Sequence, residues 1–102
     1  MTTTLHIENT VRDYASWQKV FDKFERFRAD NGVRSYRICR KADDPNQVMI
    51  DLEFETRAEA EAFVPLLERI WSTPQSQEQL VSHAKPELHE LLRHRVLEAS
   101  LP

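Results

Sequence analysis

Glycine and cysteine are almost absent from this sequence of 102 residues, which contains one of each, Gly32 and Cys39. Loops that bind phosphates or dinucleotides need several glycines so that backbone N–H groups can approach the anion. Intrachain disulfides and zinc sites built on cysteine pairs need at least two cysteines. The composition therefore excludes these kinds of site. The lack of disulfides is typical of a reducing compartment, and we expect a cytoplasmic protein.

Long apolar runs and a strong charge imbalance are also missing. No run of about 18 apolar residues occurs, so the sequence predicts no membrane span. The first residues lack the basic start and long apolar stretch of a signal peptide. The formal net charge is −3, with both signs mixed along the chain, which does not indicate a nucleic-acid partner. The chain length predicts a single domain over residues 1–102.

The hydrophobic pattern predicts the element order β-α-β-β-α-α-β. Two helix starts are marked by capping residues, Asp13 and the pair Thr56 and Glu59. The order is typical of a ferredoxin-like split β-α-β fold, an α+β class with a four-stranded antiparallel sheet and helices on one face. The predicted elements are strands over 4–11, 33–41, 47–55 and within 85–96, and helices over 14–30, from 57 to Trp71, and from 74 to His83.

The two faces of the predicted sheet differ in chemistry. One face is apolar and should pack under the helices. The reverse face is mixed, and we see two alternatives for it: it is exposed to water, or it packs against the same face of a second chain. The apolar face comprises Leu5, Ile7, Tyr36, Ile38, Val48, Ile50, Leu52 and Phe54; the reverse face comprises His6, Glu8, Arg37, Cys39, Met49, Asp51 and Glu53.

Three segments resemble a known superfamily. They are V-x-D-Y-x-x-W-x-x-x-F-D at 11–22, S-Y-R at 35–37 and D-D-P-N at 43–46. In them the chain resembles the dimeric α+β barrel superfamily over roughly residues 4–94, and more narrowly its small cyclase-like and antibiotic-biosynthesis-monooxygenase-like members. The resemblance implies a homodimer that pairs through the reverse faces into a barrel. Residues 96–102 would then lie across the partner or be disordered.

The resemblance also implies a ligand pocket between sheet and helices. Asn9 lies on the apolar side of the first strand and could bind an oxygen-bearing ligand. Alternatively, Asn9 ends the strand and bonds the turn that follows it. The other pocket candidates are aromatic or imidazole side chains, which would otherwise be core residues or, for His83, an exposed helix end. They are Tyr14, Trp17, Tyr36, Trp71 and His83.

Three functions remain open on these grounds. The first is a homodimer that binds a small apolar or aromatic ligand without chemistry. The second is a cofactor-independent monooxygenase or cyclase-like enzyme acting on an aromatic, polyketide-like substrate. The third is haem handling, but the haem-degrading branch of the superfamily would place its tryptophan near Leu66 and its histidine near Gln79. We therefore assign no cofactor, no metal and no catalytic residue.

Overall fold

The computed structural model describes residues 2–99, in which an antiparallel sheet is covered on one face by helices. The predicted α+β class and ferredoxin-like arrangement are confirmed. The elements in chain order are β1 (Thr3–Val11), α1 (Tyr14–Asp22), α2 (Glu25–Asp30), β2 (Val33–Arg40), β3 (Gln47–Phe54), α3 (Arg57–Trp71), α4 (Pro74–Gln79), β4 (Leu80–His83) and β5 (Glu87–Glu90).

Side-chain caps begin three of the helices. The Asp13 carboxylate accepts a hydrogen bond from the Ser16 backbone N–H at 2.9 Å at the start of α1. Thr56 caps α3 in the same way through the Glu59 N–H, at 3.2 Å. Thr73 caps α4, which carries proline at its first position. Each cap provides an acceptor for an N–H group that has no partner within the helix, so these short polar motifs locate the helix starts.

The first helical segment is broken, although the sequence predicts one helix over 14–30. The Phe24 N–H bonds the Phe21 carbonyl at 3.2 Å, a tighter turn than an α-helix makes. The same carbonyl accepts a second bond, at 2.6 Å, from Nη2 of Arg28. Because the carbonyl that would continue α1 is bonded elsewhere, α1 ends at Asp22 and α2 begins at Glu25.

The sheet has the strand order β2-β3-β1-β4, and all its pairings are antiparallel. β1 pairs with β3 along almost its whole length, from Thr3 opposite Phe54 to Thr10 opposite Gln47. β2 pairs with the other edge of β3, which confirms the predicted hairpin. β1 is therefore an inner strand, flanked on both sides.

Two short strands share the position that the sequence assigns to one C-terminal strand. β4 pairs with the end of β1, where His83 lies opposite Asn9, and β5 pairs with its beginning, where Glu87 lies opposite His6. From Asn9 back to His6 the β1 chain covers three positions, whereas the facing chain covers four from His83 to Glu87. The facing chain therefore has one extra residue between the two pairings. Pro86 lies in this break, where no N–H is needed for the ladder. The predicted four-stranded sheet thus has five strands.

The end of α4 also differs from the prediction. The sequence predicts a helix up to His83, but α4 ends at Gln79 and the next four residues form β4. The open edge of β1 explains the difference, because its backbone groups need partners that only an adjacent strand supplies. The Arg12 N–H, just beyond β1, bonds the Gln79 carbonyl at 2.9 Å and marks the change from helix to strand.

The core lies between the apolar face of the sheet and the helices. Leu5, Val48 and Phe54 are completely buried, and Phe63 of α3 packs on Phe54 with ring centroids 5.5 Å apart. The side chains predicted to face the helices do so: six of the eight are buried, and Tyr36 and Ile38 pack at the margin of the core. Burial of this apolar face is the main stabilisation of the fold.

The chain leaves the sheet after β5. The Leu91 N–H bonds the Thr2 carbonyl at 3.0 Å, and residues 91–99 continue without regular secondary structure. Leu92, Val96 and Leu97 of this segment are each about four-fifths exposed. Residues 96–99 of the predicted tail over 96–102 belong to this segment, and residues 100–102 lie outside the described part of the chain. None of the helices within residues 2–99 is long and apolar enough to cross a membrane.

Candidate functional site

A cavity lies between the sheet and the helices. Its volume is about 530 Å³ when the space at its mouth is included. Its lining comprises Ile7, Asn9, Trp17, Val20, Phe21, Phe24, Arg28, Ile50, Leu52, Phe63, Leu67, Ile70, Trp71, Ser76 and Leu80.

Asn9 is the polar residue that the sheet contributes to this lining. Its side chain is 3% exposed, and among residues 2–99 its Oδ1 has no hydrogen-bond partner. A buried amide oxygen without a donor costs about 1–3 kcal/mol, which a water or a ligand hydroxyl in the cavity would offset. Asn9 therefore combines a place in the cavity lining with a buried acceptor that has no partner in the described chain.

The alternative role for Asn9, bonding the turn after β1, is performed by another asparagine. Asn46 Nδ2 donates to the Val11 carbonyl at 2.9 Å and to the Arg12 carbonyl at 3.0 Å. Asn9 lies two residues before the end of β1 and pairs with Val48 and His83 on its two sides. The strand end is thus stabilised without the Asn9 side chain.

Arg28 is the cationic residue of the lining, and it is buried at 5% exposure. Its guanidinium lies on the Phe21 ring, with Cζ 3.5 Å from the ring centroid. Nη2 bonds the Phe21 carbonyl, while the Glu25 carboxylate is 3.4 Å away. Burial lowers the pKa of Arg28, and the bond to Glu25 partly offsets that effect. Within the described chain, Nε is buried and has no acceptor.

The candidate pocket residues lie in different places. Asn9, Trp17 and Trp71 line the cavity, and Tyr14, Tyr36 and His83 do not. Tyr14 packs on Trp17 with ring centroids 5.8 Å apart. The Tyr36 hydroxyl donates to Glu25 Oε2 at 2.7 Å, and this bond, with burial, raises the pKa of Tyr36.

His83 lies next to two cavity residues although it does not line the cavity. It is opposite Asn9 in the β1–β4 ladder, and its ring stacks on the Trp71 indole with centroids 3.9 Å apart. The imidazole therefore covers an outer face of Trp71. Asn9, Trp71 and His83 thus form one cluster beside the cavity.

Arg28 and Ser76 are cavity residues that the sequence analysis did not select. Arg28 follows Phe24 by four positions and Phe21 by seven, so it belongs to the apolar face of the helical segment. A charged residue on an apolar face is the signal that could have identified it. Ser76 gives no such signal, because its burial at 6% exposure depends on how α4 packs.

The reverse face of the sheet has a connected set of charged groups. His6 Nδ1 lies 2.6 Å from Asp51 Oδ1, and its Nε2 lies 2.9 Å from Glu8 Oε2. Both ring nitrogens face carboxylates, so both bonds form fully only when the imidazole is protonated. Arg37 Nη2 is 3.7 Å from the other oxygen of Asp51. Burial alone would lower the pKa of His6, but the bonds to Asp51 and Glu8 outweigh it, and the pKa is raised.

The remaining reverse-face residues flank this set. Cys39 is exposed and lies opposite the half-buried Met49 in the β2–β3 ladder. Glu53 accepts a bond from the Thr4 hydroxyl at 3.0 Å, and its second oxygen is buried without a partner in the part of the chain that the structure describes. Within residues 2–99, no three His, Cys, Asp or Glu side chains form a group that could hold a metal ion.

Comparison with solved structures supports the fold. SnoaB, a cofactor-independent oxygenase from Streptomyces nogalater, matches with a TM-score of 0.65 at 16% identity, over 95% of this chain and 98% of that one. A protein provisionally named an antibiotic biosynthesis monooxygenase, from Bordetella bronchiseptica, has a TM-score of 0.67 at 12% identity, over 94% and 98% of the two chains. A dimeric ferredoxin-like protein from an uncultured marine organism has a TM-score of 0.63 at 3% identity, over 95% and 93%.

These similarities confirm the resemblance at the level of the fold. The chain has the ferredoxin-like fold of antibiotic-biosynthesis-monooxygenase-like proteins. No family model matches the sequence, and no curated protein does. At identities this low, a shared fold does not by itself transfer an activity.

The His6 arrangement predicts a pH-dependent stability. A raised pKa means that the protonated imidazole stabilises the folded state fully below the unfolded pKa of about 6.5. That stabilisation is lost as the pH rises through the folded pKa. Urea unfolding from about pH 5.5 to 9 should therefore show that the wild type is more stable than His6→Gln at low pH, and that the difference shrinks as the pH rises.

Asp51→Asn provides the control for this prediction. Loss of the shorter of the two imidazole–carboxylate contacts should lower the pKa of His6, so that the stabilisation disappears at a lower pH than in the wild type. A difference between wild type and His6→Gln that does not change with pH would contradict the account.

Proposed function

We propose that the cavity between the sheet and the helices binds a small aromatic molecule with an oxygen-containing polar group. The observation that carries this proposal is that Asn9 lines an otherwise mainly apolar space and that its buried Oδ1 has no donor within residues 2–99. Apolar pockets with a few convergent polar groups are typical ligand sites. Trp17 and Trp71 offer ring faces on which an aromatic ligand can pack.

A second function, cofactor-independent oxygenation, is supported by the fold similarity to SnoaB. The chemistry needs a substrate that loses a proton to form an electron-rich enolate, which then reacts directly with O2. The protein would supply a dry apolar site, and hydrogen bonds would stabilise the developing oxyanion. In this chain the Asn9 amide N–H is suited to donate such a bond, because it belongs to the same side chain that lines the cavity.

We also infer that the protein acts as a homodimer through the reverse face of the sheet. Arg37 and Cys39 of this face are exposed, and the buried second oxygen of Glu53 has no donor within the described chain. A second copy would cover these groups, supply charged partners for them, and remove the open edge of β2. The marine ferredoxin-like protein of the same fold is described as dimeric, which supports the inference.

The ligand proposal predicts opposite effects of Asn9→Leu on binding and stability. Leucine has the same branched shape as asparagine, its bulkier methyl groups can extend into the cavity, and the change removes an unpaired polar atom, so the melting temperature should stay the same or rise. Loss of one hydrogen bond should weaken binding of the neutral probe 4-hydroxybenzamide roughly three- to tenfold. Ligand-observed NMR titration measures the affinity, and thermal unfolding measures the stability.

Thr10→Val is the matched control for Asn9→Leu. Thr10 is adjacent on β1, its side chain points to the opposite face, and it bonds Gln47 at 2.9 Å. This variant should leave probe affinity unchanged. The ligand proposal fails if the wild type shows no saturable binding, or if Asn9→Leu unfolds at a clearly lower temperature and binds as the wild type does.

The oxygenation proposal is tested with anthrone, whose methylene proton is acidic. O2 would supply the new carbonyl oxygen of anthraquinone, and its second atom would leave as water with the two methylene hydrogens. With a metal chelator present, the protein should increase O2 uptake and anthraquinone formation together, and Asn9→Leu should reduce the rate at least about tenfold. A rate equal to that of heat-denatured protein would contradict this function.

The dimer proposal predicts that Met49→Arg weakens association. Light scattering on the wild type should give twice the 12.1 kDa chain mass. A bulky charge at the half-buried Met49 should raise the dimer dissociation constant by at least about tenfold, because it must be desolvated in the interface. Gln18→Arg, on the exposed face of α1, should have no effect. A monomeric wild type, or a Met49→Arg dimer of unchanged affinity, would contradict the interface.

A further inference from the structure

Two buried polar atoms without partners in the described chain belong to residues that line the same cavity, and they are of opposite kinds. Asn9 Oδ1 is an acceptor without a donor, and Arg28 Nε is a donor without an acceptor. The two residues come from different elements, β1 and α2, and both are at least 95% buried. Buried polar groups in proteins are nearly always paired, so two unpaired ones at one cavity need an explanation.

The charge of Arg28 is poorly compensated inside the protein. Its only carboxylate contact within residues 2–99, Glu25, is distant at 3.4 Å and its side chain is 57% exposed. The same Glu25 oxygen already accepts the Tyr36 hydroxyl at 2.7 Å. A guanidinium removed from water needs a well-placed anion, since desolvation otherwise costs several kcal/mol. Glu25 does not fully meet that need.

The position of Arg28 is nevertheless fixed. Nη2 bonds the Phe21 carbonyl at 2.6 Å, and the guanidinium stacks on the Phe21 ring. These contacts use Nη2 and one face of the guanidinium. Through them Arg28 has a structural role at the break between α1 and α2. They leave the Nε–H without an acceptor. A ligand oxygen that reaches the Nε–H would therefore meet a guanidinium that Phe21 already holds in place.

We propose that Arg28 makes the cavity selective for an aromatic anion, a carboxylate or a phenolate or enolate, whose oxygen accepts the Nε–H of Arg28 while a hydroxyl elsewhere on the ring donates to Asn9 Oδ1. This inference rests on the proposed ligand-binding function and adds the charge of the ligand to it. For the oxygenation chemistry, the same contact stabilises the deprotonated substrate. The alternative is that water molecules alone bond Arg28 Nε and Asn9 Oδ1. The experiment below distinguishes it, because a cavity that holds only water binds none of the probes.

The first experiment compares probes that differ in charge but hardly in shape. We expect the wild type to bind 4-hydroxybenzoate at least roughly tenfold more tightly than 4-hydroxybenzamide, since a charge-assisted hydrogen bond contributes about 1.5–3 kcal/mol. Benzoate, which lacks the hydroxyl, should bind more weakly than 4-hydroxybenzoate. At about pH 8, 4-nitrophenolate against nitrobenzene distinguishes a phenolate preference from a carboxylate preference.

The second experiment assigns the selectivity to Arg28. In Arg28→Gln, the affinities for 4-hydroxybenzoate and 4-hydroxybenzamide should differ by no more than about twofold. Glu25→Gln avoids the risk of misfolding, because it keeps the bond to Tyr36 and removes only the competing charge. It should tighten 4-hydroxybenzoate several-fold and leave 4-hydroxybenzamide unchanged. The matched control Glu61→Gln removes the same charge from an exposed pair on α3 and should change neither affinity.

The outcomes separate this inference from the proposed function. If 4-hydroxybenzamide binds as tightly as 4-hydroxybenzoate, or if Glu25→Gln leaves the 4-hydroxybenzoate affinity unchanged, Arg28 does not select an anion. The cavity would then still bind aromatic ligands. If none of the probes binds, the cavity holds only water and the ligand-binding function fails together with the inference. A charge preference that Glu25→Gln strengthens and Arg28→Gln removes supports it.

Discussion

The alternation of side chains along β1 is the constraint on which the rest of the structure depends. β1 lies inside the sheet and pairs on both sides, so a shift of one residue would exchange Leu5 and Ile7 with His6 and Glu8. Such a shift would expose the core and bury the charged groups. The same register directs Asn9 into the space beneath the helices and His6 toward Asp51 on the reverse face. One strand thus positions both the candidate ligand site and the candidate interface.

Arg28 connects the break in the helical segment with the chemistry of the cavity. Its bond to the Phe21 carbonyl occupies the end of α1, and α2 begins at Glu25. The break therefore places a buried cation beside a mainly apolar space. Without the guanidinium, the Phe21 carbonyl would lose its short side-chain bond, and the cavity would lose its cationic group. The side chain that bonds the end of α1 is thus also the contact proposed for a ligand.

Many features of the fold follow from local patterns. Asp13, Thr56 and Thr73 cap helices at their predicted starts, because the side-chain oxygens bond N–H groups only three residues away. The left-handed Gly32 follows α2, with a φ of +97°. Periods of two residues along β1, β2 and β3 assign each side chain to a face, since a strand has no other freedom once one face is buried. The face of β1 on which the Asn9 side chain lies is predictable for the same reason.

The sequence by itself determined the order of the main strands and helices, the starts of α1, α3 and α4, the two faces of the sheet and the side of β1 on which Asn9 lies, because these depend on neighbours within a few residues. Only the tertiary structure decided where α1 ends, that residues 80–83 become a strand, and that Arg28 and Ser76 join Asn9 around a cavity. The strand and the cavity depend on groups far apart in the chain: the unpaired edge of β1 pairs with β4, and the packing of α2 and α4 over the sheet brings Arg28 and Ser76 to the same space as Asn9.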